Sequence, residues 1–303
     1  MTQPVVALRP GAREFLLLLV LSFCWGVAFF FIKVAVETAS PLLVNMGRMA
    51  VASACLFLLM KAQRLSLPPW GPVWGYLTAL AILGNALPYW LIAVAEQQVD
   101  SGLASILVGM TPLVTMLLAH VATHDERITP RRAAGFALGF AGLVTLMGPQ
   151  ALHGLGDDLI AQGLLLLACV SFAVNALVAR RMPEVSLPAA SFGMTLIGTV
   201  LMFPIAVAAD PGLNARPDLS AIGAMIGLGV ISTAAASLLF LTLVRRAGAT
   251  FVVSANYLTP LMALSLGVLL LGERPDLNAL VAFALICGGI WLANRPAGGA
   301  AQS

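Results

Sequence analysis

Apolar residues run along this chain in long blocks, and the blocks recur ten times. They cover roughly 14–36, 41–61, 71–95, 101–122, 132–149, 159–180, 187–209, 219–244, 247–271 and 276–294. A helix that crosses a bilayer needs about 20 mostly apolar residues, so each block predicts a membrane span. The breaks are short and rich in turn-forming residues, as at Leu67-Pro68-Pro69-Trp70, Gly148-Pro149 and Asp210-Pro211-Gly212. No interval is long enough for a soluble domain. The pattern predicts an all-α membrane protein of ten transmembrane helices. The first block does not read as a cleavable signal peptide. It is too long for an h-region, carries Lys33 near its end and runs into the next span without a small-residue cleavage site.

Composition agrees. Of 303 residues, 60% are hydrophobic and 10% charged, against about 25% charged in an ordinary globular domain. That excludes a soluble protein, and the hydrophobicity excludes disorder. No basic cluster reaches the length of a nucleic-acid patch, so no nucleic-acid partner is expected. Cys24, Cys55, Cys169 and Cys287 sit far apart inside apolar blocks and read as small packing residues. His120, His124 and His153 lack zinc-ligand spacing. No metal or cofactor is expected.

Lys and Arg set the orientation. One set of alternate loops holds Arg9, Arg13, Lys61, Arg64, Arg127, Arg131, Arg132, Arg180, Arg181, Arg245, Arg246 and Arg295. The other set holds Lys33, Arg216 and Arg274. Both termini are therefore expected in the cytoplasm, with the chain in the cell (inner) membrane and the bilayer as its surroundings.

The halves resemble each other. Thr111-Pro112-Leu113 matches Thr259-Pro260-Leu261 at an offset of 148, and Glu126-Arg127 matches Glu273-Arg274 at 147. Phe136 pairs with Phe283, Gly142 with Gly289, and Lys33 falls on Arg180. The domains are thus a first five-helix repeat at 14–149 and a second at 159–294. Five is odd, so the second copy enters the membrane from the opposite side. Two inverted five-helix repeats are a transporter architecture, with a substrate site near the midplane where the halves meet. The competing reading is duplication into a non-transporting scaffold or receptor-like protein.

Ionisable side chains inside a span are costly and are functional candidates. Arg48, about 10 Å into the second span at 1.5 Å per residue, either lines a cavity and holds a carboxylate bidentately or is structural. Asn45, three residues earlier, is placed to orient it. Asn85 and Tyr89 flank Pro88 in the third span, and Asn256 and Tyr257 precede Pro260 in the ninth. Each cluster reads either as a bent helix edging a cavity or as interhelical hydrogen bonding. Trp25 lies mid-span, away from the interfacial belts. Ser22, Gly26, Phe29 and Lys33 form one stripe in the first span, and Ser171 and Asn175 lie on a comparable one in the sixth; these and Trp25 read either as cavity walls or as core packing. Ser232, Thr233 and Ser237 are weaker candidates, because such hydroxyls often bond their own helix. Gly135, Gly139 and Gly142 in the fifth span, and Gly223 and Gly227 in the eighth, read as close-packing faces.

Trp25-Gly26 followed by Phe29 and Lys33, then Arg48, then Pro–Leu and Glu-Arg closing spans four and nine, resemble the ten-span EamA-type transporters of the drug/metabolite transporter superfamily. The resemblance covers two copies, about 15–148 and 160–293. It implies export or exchange of amino acids and related small metabolites by alternating access. One departure is His124-Asp125-Glu126 where the second copy has Leu271-Gly272-Glu273.

Trp25, Arg48, Asn85, Tyr89, Asn175, Asn256 and Tyr257 are expected to border one central cavity, with Arg48 on the carboxylate of a zwitterionic substrate. No Asp or Glu falls mid-span, so no proton relay is readable. No phosphate loop and no HExxH motif occurs. An enzyme is not expected.

Overall fold

The computed structural model describes residues 10–95, 98–99, 101–148, 152–209, 217–262 and 277–294. Among these residues every regular element is helical. The first span is Ala12–Ala35 and the second Pro41–Ala62. The third runs Pro72–Ala81, passes through a π turn at Ile82–Ala86 and ends as Leu87–Ala95. The fourth is Ser101–Val108 and Thr111–Ala122, parted at Gly109-Met110. The fifth, sixth and seventh are Pro130–Met147, Leu159–Arg181 and Leu187–Ala209. The eighth is Leu219–Gly227, a π stretch Leu228–Ala235, and Ala236–Ala247. The ninth opens with Ala249–Val252 and resumes over 255–262, and the tenth is Leu277–Asn294. Glu96, Asp100, Arg216, Glu273 and Arg274 lie outside the described residues, as do the side chains of Phe29 and Lys33.

Polar residues at the breaks start the helices. Ser40, Thr129, Asp158 and Asp218 accept the backbone N–H three residues on, at 2.8–3.2 Å, which satisfies an otherwise orphaned donor. Pro41 and Pro130 follow two of these caps at a position where no N–H is required.

Burial is arranged for lipid. Phe30, Leu58, Val200 and Phe203 face outward, while Ser22, Thr111, Thr115, Ser191 and Thr195 are fully buried. Some of these buried hydroxyls return to their own helices, as Thr115 to the Thr111 carbonyl at 2.8 Å and Thr195 to the Ser191 carbonyl at 2.9 Å, whereas the Ser191 hydroxyl has no partner among the described residues. Together with the span count, this is the build of a multi-pass all-α membrane protein with ten helices.

The two halves meet most tightly along the fifth and tenth spans. A Cβ on Gly289 would sit 2.6 Å from the Gly135 carbonyl oxygen, and one on Gly142 would sit 2.7 Å from Ile286 Cγ1. Small residues bring these backbones into contact. In the eighth span the expectation holds at only one of two glycines. Gly227 is pressed against the Phe31 ring, whereas Gly223 has open space around it. The π turns fall at matching places in the halves: at an offset of 147, Ile82 lands on Gly229.

Candidate functional site: a central cavity around Arg48

A cavity of about 1070 Å³ lies between the halves. It reaches from Trp25, Phe240 and Asn256 in mid-chain positions of their spans to Val36, Ser40, Val94 and Met147 at the helix ends on the side away from the termini. Toward the terminal side the spans close over it. Leu18, Leu77, Val244 and Phe251 belong to one continuous buried core there, with Phe15 edge-on to Phe251 at 5.2 Å.

Six of the seven anticipated residues line this cavity: Trp25, Arg48, Asn85, Tyr89, Asn175 and Asn256. Tyr257 does not. It is fully buried, its ring lies under Gly139 and its hydroxyl donates to the Phe136 carbonyl at 3.3 Å. The reason is angular. Adjacent residues on a helix point about 100° apart, and here the turn is tighter still. The N–H groups of Ser254, Asn256 and Tyr257 all bond three residues back, a 3₁₀ pattern that puts neighbours about 120° apart. With Asn256 facing the cavity, Tyr257 is turned into the fifth span.

Arg48 is 6% exposed and has no carboxylate in ion-pair reach among the described residues. Its Nε–H donates to Thr233 Oγ1 at 3.1 Å, and Nη2 reaches Tyr89 Oη at 3.5 Å. The guanidinium lies over the Tyr89 ring at 4.7 Å, a cation–π contact. No Asp, Glu, Lys or His is among the described lining residues. Among the described residues the cavity therefore carries one cationic group, several amides and the aromatic residues Trp25, Tyr89, Trp90, Phe172 and Phe240.

Both π turns serve this arrangement. Pro88 has no N–H to give. In the register set by Leu87 N–H bonding the Ile82 carbonyl, the acceptor left open is Leu83, and Ser171 fills it at 2.9 Å. Ser171 thus ties the sixth span to the third instead of lining the cavity. In the eighth span Thr233 donates five residues back to Leu228 at 3.0 Å while accepting from Arg48. Gly229 lets the second span come close, since a Cβ there would lie 2.5 Å from Val51 and 3.0 Å from the Arg48 carbonyl oxygen.

Other expectations are redistributed. Asn45 lines the cavity, but its amide donates to Met202 Sδ at 3.7 Å, so Thr233 and not Asn45 orients Arg48. Ser22 is fully buried and donates to the Leu18 carbonyl at 2.8 Å. Trp25 packs toward Phe240, ring centres 6.5 Å apart. Asn175 is seated on Gly84, where any Cβ would come within 2.7 Å of its Oδ1. That oxygen and the Ser232 hydroxyl are buried without hydrogen-bond partners among the described residues. Thr233 carries little weight in the sequence because a span threonine ordinarily bonds its own backbone. The signal was present in Gly227 and Gly229, which mark where another helix comes close.

A second charged cluster sits at the terminal side. Glu126, 4% exposed, accepts the backbone N–H of Ala249 at 2.9 Å and of Thr250 at 2.8 Å and pairs with Arg180. Arg180 also pairs with Asp125, and Arg181 donates to the Ala122 carbonyl. Glu14 pairs with Arg246 at 2.9 Å. Each of these contacts joins one half of the chain to the other.

A duplicated ten-helix membrane protein with a largely apolar cavity between its halves, carrying one buried arginine and several amides, fits a class, the inverted-repeat transporters. Residues 12–148 and 159–295 each match the EamA-like transporter family. The chain belongs to that family and is a transporter of the drug/metabolite superfamily kind. It is 29% identical over 253 residues to the uncharacterized inner membrane transporter YedA of Escherichia coli K12, across 82% of this chain and 80% of that protein. It is 30% identical over 280 residues to the S-adenosylmethionine/S-adenosylhomocysteine transporter of Chlamydia trachomatis serovar L2, across 88% of this chain and 84% of that one. A crystal structure of another protein superposes with a TM-score of 0.77 at 19% identity, over 93% of this chain and 97% of that chain, a likeness of fold.

Proposed function

We propose that this protein is a secondary transporter of small organic metabolites bearing an α-amino carboxylate, amino acids or larger molecules built on one, working by alternating access. The observation that carries this reading is Arg48, a buried cation on the cavity wall with no acid beside it among the described residues. A buried charge calls for a counter-ion. A substrate carboxylate is the counter-ion a transporter can admit and release. Trp25, Asn85, Tyr89, Asn175 and Asn256 complete the binding surface, and Tyr257 supports it from behind.

The cavity of about 1070 Å³ is at the upper end for small-molecule sites, so it has room for more than a single amino acid. Support for a larger cargo comes from the Chlamydia relative, named for S-adenosylmethionine and S-adenosylhomocysteine, both of which carry an amino-acid head. The distribution of Lys and Arg supports an inner-membrane chain with both termini cytoplasmic. The cavity then opens to the outside in this state.

The test is uptake into proteoliposomes of a panel of labelled amino acids and S-adenosylmethionine. Saturable uptake of at least one, lost in Arg48→Ala with the protein still folded, is the expected result. Uptake unchanged in Arg48→Ala would remove Arg48 from the site.

A further inference from the structure

We propose that Thr233 is the positioning residue for Arg48, and that with Tyr89 it leaves only the end-on edge of the guanidinium, Nη1 with Nη2, for a carboxylate. This rests on the reading of Arg48 as the carboxylate site and adds its geometry.

A guanidinium presents five N–H donors on two usable edges. The side-on edge pairs Nε with one Nη2 hydrogen, and the end-on edge pairs Nη1 with the other. Here Nε is spent on Thr233 at 3.1 Å, and Nη2 reaches toward the Tyr89 hydroxyl at 3.5 Å. The side-on edge is closed. Nη1 has no hydrogen-bond partner among the described residues, and Arg48 lies on the cavity wall. A bidentate anion therefore meets the end-on fork.

Thr233 can hold this position because its own hydrogen goes to the Leu228 carbonyl at 3.0 Å, leaving the oxygen lone pairs to accept from Nε. That bond spans five residues and exists only because Leu228–Ala235 is wound as a π helix. Such turns concentrate at functional sites. The Tyr89 ring, 4.7 Å from the guanidinium carbon, restrains the plane from one side. The pair fixes rotation and tilt, and bidentate recognition requires both.

The test does not depend on knowing the cargo. Phenylglyoxal condenses with the two Nη atoms of an arginine, and acetate is a minimal bidentate competitor for the same edge. Modification of Arg48 in the purified full-length protein is read by peptide mass spectrometry across an acetate titration. In the wild type acetate protects Arg48. Thr233→Val, near-isosteric but unable to accept from Nε, is expected to need about tenfold more acetate for the same protection, and Thr233→Ser to behave as wild type. Melting temperatures within a few degrees in all three confirm a folded comparison. Equal protection in wild type and Thr233→Val would overturn the role of Thr233 while leaving Arg48 as the anion site. Failure of acetate to protect the wild type at any concentration would overturn the carboxylate reading itself, and this geometry with it.

Discussion

Glu126 and Arg48 are almost equally buried, 4% and 6% exposed, yet their surroundings are opposite. Glu126 accepts two backbone N–H groups and an arginine. Arg48 has a hydroxyl on Nε, a distant phenol and an aromatic face. A charge whose partners are all built in stabilises one conformation. A charge held by a hydroxyl on Nε, with the Nη1 edge unpaired among the described residues, is available to something that comes and goes. The first region joins the halves at the terminal side, and the second lines the space between them. On the proposed reading of Arg48, the difference separates structure from recognition in a chain with few charges to place.

The comparison breaks if both groups turn out to do the same job. The largest effect is expected at Glu126. Glu126→Ala leaves Arg180 short of a partner and the start of the ninth span uncapped. Losing one member of a buried pair costs about 3–5 kcal/mol, so a marked fall in melting temperature in detergent is expected. Arg48→Ala should do the reverse. Uptake should fall about thirtyfold or more, the effect of removing one side of a desolvated charge pair, with the melting temperature nearly unchanged. Arg48→Lys keeps the charge without the planar fork and should lie between Arg48→Ala and wild type. If Arg48→Ala melted early and transported normally when folded, the arginine would be structural like Glu126.

Two smaller effects sharpen the contrast by probing neither charge. Gly289→Ala places a methyl 2.6 Å from the Gly135 carbonyl oxygen, where only backbone can move. Overpacking of this kind costs about 1–3 kcal/mol, read as lower thermal stability. The smallest effect is at Asp218, whose carboxyl is held below its ordinary 3.8 chiefly by the Ala221 N–H and then by the Ser220 hydroxyl. Its folded value is depressed, so its contribution is complete above about pH 4 and fades as pH falls through the lowered value. Asp218→Asn should slightly lower the melting temperature above about pH 4, and the difference from wild type should vanish as pH falls through the lowered value.

Much of this architecture was legible before any coordinates. Span positions follow from hydropathy, and Gly135, Gly139 and Gly142 mark the fifth span as a close-packing face, although which helix lies against it is not readable from them. The cavity was legible as a set of polar residues at mid-span depth, and six of the seven chosen line it. Tyr257 failed because depth says nothing about direction, and a local 3₁₀ turn set its heading. The π turns were not legible. One extra residue per turn shifts the helical face without altering hydropathy, so the partnership of Thr233 with Arg48 was hidden. Glu126 was visible as a repeated motif, but its partners are backbone N–H groups more than a hundred residues away, and backbone donors leave no trace in side-chain identity.

On the proposed reading, the counter-ion of Arg48 arrives with the cargo. This is tested most directly by competition against labelled uptake in proteoliposomes, comparing each transported amino acid or S-adenosylmethionine with its carboxyl methyl ester. The ester is expected to compete at least about tenfold more weakly than the acid in the wild type, with the difference narrowed in Arg48→Lys, which keeps the charge, and gone in the residual uptake of Arg48→Ala. An ester that competes as well as the acid in the wild type would contradict this reading.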